Sequence, residues 1–284
     1  RSILATTIGT GMQLLCMAFI SIGCAMLGFL SPANRGSMLS ATLILFALMG
    51  SVAGSSAAVS YKAFKGGAWK QLTLLTAFLY PGIVLSVFFV LNFFIWGQKS
   101  SGAVPFGTMF ALLCIWFLVS FPLVWVGVWL GYRATAKDPP VKTNMVPRII
   151  PEQAWYLHPL FTMVVGGILP FGAVFIELYF IMSSIWLQRF YYVFGFLALV
   201  LLILIITCAE MAIVLCYFQL CNENYSWQWR SFSNTGSAGL LLFCYSFVYF
   251  SSTLEIMGFV STLLYFTYMF LSSLLFGLTT GTIG

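Results

Sequence analysis

Long apolar stretches alternate along the chain with short polar or charged breaks, and stretch length decides what they form. A helix needs about 20 apolar residues to cross the hydrocarbon of a bilayer. Charged and turn-forming residues leave eight stretches of that order, at approximately 3–30, 38–60, 71–96, 106–131, 160–187, 190–219, 237–254 and 259–284. A transmembrane barrel would instead alternate polar and apolar residues over about ten positions. Runs such as Phe196 to Cys208 are apolar on both faces, so the pattern predicts helices. The expected fold is all-α, a polytopic transmembrane helix bundle of eight spans with the last cut short, forming one domain over 1–284.

Composition removes the alternatives. Of 284 residues, 61% are hydrophobic, 18% aromatic and only 6% charged, against about a quarter charged in an ordinary soluble domain. That excludes a soluble enzyme, and the same apolar content excludes disorder. The net charge of +6 does not point to nucleic acid, because the basic residues lie in ones to threes between apolar runs, where they orient spans. One side of the membrane receives Arg1, Lys62, Lys65, Lys70, Arg133, Lys137, Lys142, Arg148 and Arg230; the other receives Arg35, Lys99 and Arg189. Nine against three places the start of the chain in the cytosol, and eight crossings return its end there. The chain begins at Arg1 and stops at Gly284 within an apolar run, so it reads as a fragment.

Little in the spans carries chemistry. The sizeable soluble segment, Tyr132–His158, contains or borders five prolines (139, 140, 147, 151 and 159) and is expected to be extended. The single histidine, His158, sits at a helix entrance with no second histidine to share a metal. The seven cysteines form no CxxC and read as small buried hydrophobes. No Ser/His/Asp set and no GxxxxGK[ST] motif occurs. We therefore expect no enzyme activity, no cofactor and no metal. The sequon Asn224-Tyr225-Ser226 falls in a cytosolic loop and reads as unused, and Trp227, Trp229 and Arg230 read as an interfacial anchor.

Two acids lie inside spans, Glu177 and Glu210, and an intramembrane carboxylate is a functional candidate by default. Measured from the loop around Arg189 at 1.5 Å per residue, their depths are roughly 18 and 31 Å, which argues against direct contact. Gly166, Gly167, Pro170 and Gly172 are expected to break the fifth span just ahead of Glu177, as in transporters that build ion sites from interrupted helices. Small-xxx-small pairs occur at Gly50/Gly54, Gly127/Gly131 and Gly277/Gly281. Such faces let another helix approach closely. Gly50, Gly54, Gly127 and Gly131 are the candidate face for recognising a helix of another protein, with packing inside the bundle as the alternative.

Several short motifs occur together. They are Ser31-Pro32-Ala33-Asn34-Arg35-Gly36, Tyr80-Pro81-Gly82-Ile83-Val84, Pro105-Phe106-Gly107-Thr108 and Val146-Pro147-Arg148-Ile149-Ile150-Pro151-Glu152-Gln153. Beyond them come Gly166-Gly167-Ile168-Leu169-Pro170-Phe171-Gly172, Tyr191-Tyr192-Val193-Phe194-Gly195-Phe196, Trp227-Gln228-Trp229-Arg230-Ser231-Phe232 and Thr280-Gly281-Thr282-Ile283-Gly284. In this order the chain resembles the nonaspanins, the transmembrane 9 superfamily, over its whole length.

The resemblance implies a Golgi or endosomal protein with a lumenal N-terminal domain, nine spans and a cytosolic tail. This chain would lack the lumenal domain, the first span, the end of the last span, and the tail that reaches coat machinery through a Lys-x-Asp type signal. It further implies a role in sorting membrane proteins with glycine-rich transmembrane segments. The expected function is thus a non-enzymatic factor whose partners are the lipid bilayer and the transmembrane segments of client proteins, with no nucleic acid. The competing reading is a secondary transporter or ion-conducting protein using an intramembrane carboxylate. A polar cavity reaching Glu177 would favour the second, and a lateral groove open to lipid the first.

Overall fold

In the computed structural model of the chain, residues 1–29, 35–136, 138–186 and 190–284 are described, and for residues 35, 177–186 and 190–193 the description covers the backbone alone. Helix accounts for 81% of the described residues, with no strand among them. The helices are α1 (Ser2–Met26), α2 (Arg35–Leu48), α3 (Gly50–Ala63), α4 (Trp69–Gly97), α5 (Phe106–Ile115), α6 (Phe121–Arg133), α7 (Pro159–Trp186), α8 (Phe190–Cys221), α9 (Trp227–Thr253) and α10 (Phe259–Ile283). A π turn, Trp116–Ser120, joins α5 to α6 immediately before Pro122. A widened turn there relieves the clash that a proline ring makes with the preceding turn.

Among the described residues seven stretches are long and apolar enough to cross a membrane: Ser2–Met26, Gly36–Ala63, Trp69–Gly97, Phe106–Arg133, Pro159–Ile176, Phe194–Cys221 and Phe259–Ile283. Each falls on a stretch expected from the sequence. The eighth expected span, 237–254, differs. Its helix α9 starts at Trp227, ten residues early, and at 27 residues is long enough but not among those apolar enough. The polar residues that masked its start, Asn234, Thr235 and Ser237, are buried and so face protein. Trp227, Trp229 and Arg230 accordingly lie in the first turns of α9 rather than in a loop.

The chain divides into two compact units. The first comprises Arg1–Leu14, Leu43–Thr135 and Phe243–Leu275. Its core joins Ala5, Ala57, Ala58, Tyr61, Leu72, Ala77, Val124 and Val128, with Phe64, Phe78, Phe121 and Tyr132 packed around it. Side chains this small let helix backbones approach, which is the main source of helix affinity where lipid supplies no hydrophobic drive. Several polar groups in this unit are paired across elements. Pro81 has no N–H to give the carbonyl of Ala77 four residues back, and the Trp116 indole donates to that carbonyl instead, at 3.0 Å. The ammonium of Lys62 donates to the carbonyls of Tyr132 (3.1 Å) and Ala134 (2.7 Å) at the end of α6, where a cation complements the helix dipole. Buried Asn92 accepts from the Val104 N–H (2.8 Å) and donates to its carbonyl (3.0 Å), holding the 98–105 connection onto α4.

The second unit comprises Leu15–Thr42, Ala136–Leu242 and Phe276–Gly284. Val200 packs with Leu197 and Val174 between α8 and α7. On α9, Ser237 donates to the carbonyl of Met163 on α7. The guanidinium of Arg230 donates to the Leu157 carbonyl at 2.8 Å, and the Gln153 amide to that of Asn222 at 3.1 Å. These bonds tie the end of the proline-rich segment to the bundle. Over 134–136 and 138–154 that segment has neither helix nor strand, as its prolines predict.

Candidate functional site

The structure decides what lies against the glycine faces. A Cβ on Gly54 would stand 2.9 Å from the Val128 nitrogen, and one on Gly50 3.2 Å from the Ser120 carbonyl oxygen. Reciprocally, a Cβ on Gly131 would meet the Ser55 carbonyl oxygen at 2.6 Å, and one on Gly127 would overlap the backbone of Ser51. The two pairs therefore face each other across the α3–α6 contact. All four glycines are taken up inside their own unit, and the expectation that they form a face for another protein's helix is corrected. At Gly54, Gly127 and Gly131 glycine is needed because backbone meets backbone.

The expected break in the fifth span is also corrected. Helix α7 runs through Gly166, Gly167, Pro170 and Gly172 without interruption, with Pro170 inside it. The glycines serve packing. A Cβ on Gly166 would meet the Asn234 carbonyl oxygen at 2.5 Å, and one on Gly167 the Ala238 nitrogen at 2.9 Å, both on α9. Nothing lies within 4 Å of a Cβ on Gly172. Similarly, Gly277 of α10 lies against the Gly236 carbonyl of α9.

Of the two acids, Glu177 lies on α7 with its side chain outside the described residues. Glu210 lies on α8, with its side chain exposed. No group of three or more His, Cys, Asp or Glu that could hold a metal occurs among the described residues. His158 is exposed at the head of α7. All seven cysteines are free thiols.

One feature was not singled out from the sequence. Along α4, in the first unit, a shallow and widely open apolar groove of about 840 Å3 faces the outside. Gln71, Leu75, Phe78, Gly82, Ser86 and Val87 line it. Their spacing of three and four residues marks one side of a helix. From Gln71 to Val87 it extends for roughly 24 Å, most of the ~30 Å hydrocarbon thickness. A second hollow of about 310 Å3 shares Ser86 and Val87 and continues past Val90 and Phe94 to Leu263 and Thr267 of α10. No charged side chain lines either. The sequence signal was present as small Gly82 and Ser86 on the stripe. Because every face of this span is apolar, only the packing of the other faces reveals which one is left open.

Comparison with known proteins bears on the family to which the chain belongs. The family profile described as Endomembrane protein 70 matches residues 1–259. Transmembrane 9 superfamily member 8 of Arabidopsis thaliana is 57% identical over 282 residues, covering 99% of this chain and 44% of the relative. Among human proteins, transmembrane 9 superfamily member 4 is 51% identical over 282 residues (99% of this chain, 44% of the relative). Member 2 is 50% identical over 282 residues (99% and 42%). The chain thus spans less than half the length of these curated relatives. No solved structure matches it. With seven membrane-length apolar helices among the described residues and a profile match over most of its length, the chain is an integral membrane protein belonging to the Endomembrane protein 70 family, the transmembrane 9 superfamily.

Proposed function

We propose that the chain is the membrane part of a non-enzymatic sorting factor of the Golgi and endosomal system, which helps localise other membrane proteins by recognising their transmembrane segments. The observation that carries this reading is the α4 groove. It is long enough for a helix to lie along, open on its outer side, and lined by apolar and small residues. Such a surface binds by van der Waals contact, and a partner with glycines can approach it most closely. It offers no titratable group with which to bind an ion or do chemistry. The family's own name, Endomembrane protein 70, supports the setting.

The test is a photo-crosslinking amino acid at Ser86, which lines both hollows, and at exposed Ile44 as control. In cells, Ser86 should form adducts with a client carrying a glycine-rich span, and Ile44 should not. Ser86→Trp, which fills the groove, should reduce surface delivery of that client while thermal stability holds. Equal adducts at both positions, or unchanged delivery with the groove filled, overturns the proposal.

A further inference from the structure

Helix α8 has one side turned inward and one outward, and Glu210 is on the outward one. Val200, Leu204, Cys208 and Ala212, four residues apart, are buried. At ~100° per residue, Glu210 stands about 200° around the helix from Cys208. Leu202, Ile206, Ile213 and Tyr217 share that outer side, with Ile206 48%, Ile213 69% and Tyr217 64% exposed. Along the axis, Glu210 is roughly 17 Å from Cys221, the end of the helix, well inside the long apolar stretch Phe194–Cys221. No hydrogen bond or ion pair to its carboxyl occurs among the described residues.

A carboxyl group at that depth is costly in either protonation state, because lipid tails offer it neither a counter-charge nor a hydrogen-bond partner. Intramembrane acids therefore face a bundle interior or an aqueous cavity in almost every case. This one faces out of the chain, in the middle of an apolar stripe. We infer that the outer side of α8 is a second recognition surface. Its occupant is a transmembrane helix carrying a basic residue near its midpoint, so that a lysine or arginine meets Glu210 while its apolar residues lie on Ile206, Ile213 and Tyr217. Charge complementarity determines the occupant: a purely apolar helix would bury the carboxylate without satisfying it. This surface is separate from the α4 groove and does not depend on it.

The test reconstitutes the full chain in vesicles with synthetic transmembrane peptides, one of leucines only and one with a single central lysine. Association is read by energy transfer between donor-labelled peptide and acceptor-labelled chain. The lysine peptide should bind about tenfold more tightly than the leucine peptide. Glu210→Gln keeps the shape of the side chain and should abolish the difference. Glu210→Lys should transfer the preference to a peptide with a central glutamate. Ser86→Trp should leave all of this unchanged, so failure of the groove reading and failure of this one are separable. Equal binding of the two peptides, or a lysine preference that survives Glu210→Gln, overturns the inference.

Discussion

Adding one methyl group at Gly54 should unlock the first unit, whereas the same change at Gly50 should not. A Cβ on Gly50 would lie 3.2 Å from the Ser120 carbonyl oxygen and from a Val124 methyl, a shortfall of a few tenths of an ångström against the 3.5–4.0 Å optimum for carbon contacts. The Val124 side chain can give way by turning, and at the Ser120 oxygen the backbone needs to yield by only a few tenths of an ångström. On Gly54 the Cβ would lie 2.9 Å from the Val128 nitrogen and 3.1 Å from the Val124 carbonyl carbon. Those atoms are backbone, so α3 and α6 must separate by half an ångström or more. The separation is shared along the whole contact, which also holds Gly127 and Gly131 against Ser51 and Ser55. Overpacking costs about 1–3 kcal/mol, and Gly→Ala within a helix returns up to ~1 kcal/mol. Gly50→Ala should then be near neutral, and Gly54→Ala should lose about 2 kcal/mol. At 2–4 °C per kcal/mol for a chain of this size, that is a fall of roughly 4–8 °C in Tm. Thermal unfolding in nanodiscs, read by the loss of monodisperse protein on heating, measures both. If Gly54→Ala is as stable as Gly50→Ala, the α3–α6 contact is not as close as the structure has it. Replacing Gly50 and Gly54 together by Leu should deplete folded protein, and any loss of client binding should track that depletion.

Other changes test other parts of the same reasoning. Asn92→Leu leaves both the N–H and the carbonyl of Val104 without their partner and should cost about 2–3 kcal/mol, seen as a lower Tm and faster proteolysis in the 98–105 connection. Trp116→Phe orphans the Ala77 carbonyl at a cost of about 1–2 kcal/mol; in a Pro81→Ala background, where an N–H is restored to that carbonyl, the same change should cost less, and equal costs would contradict the pairing. With exposed Cys221 and Cys244 replaced by Ser, cysteines at Lys65 and Thr143 should label from the cytosolic side alone, and one at Ser100 from the lumenal side alone. Lumenal labelling at Thr143 would reverse the orientation.

The amino-acid pattern carries the membrane character of this protein, its helical class and the positions of most spans, because hydrocarbon thickness imposes a length and a polarity that can be read residue by residue. Its reach ended where polar residues turn toward protein. Asn234, Thr235 and Ser237 looked like the end of a loop, yet they are buried within α9. The glycines were correctly read as sites of close approach, but a glycine pair carries no mark of its partner. Only the tertiary structure matched Gly50 and Gly54 with Gly127 and Gly131, and Gly166 and Gly167 with α9. Pro170 looked like a break because a missing N–H is visible in sequence, whereas a helix held in line by its neighbours is not. In spans apolar all round, the direction of a residue depends on which side the other helices cover. That is why the open side of α4 and the outward direction of Glu210 were settled by the packing of the chain alone.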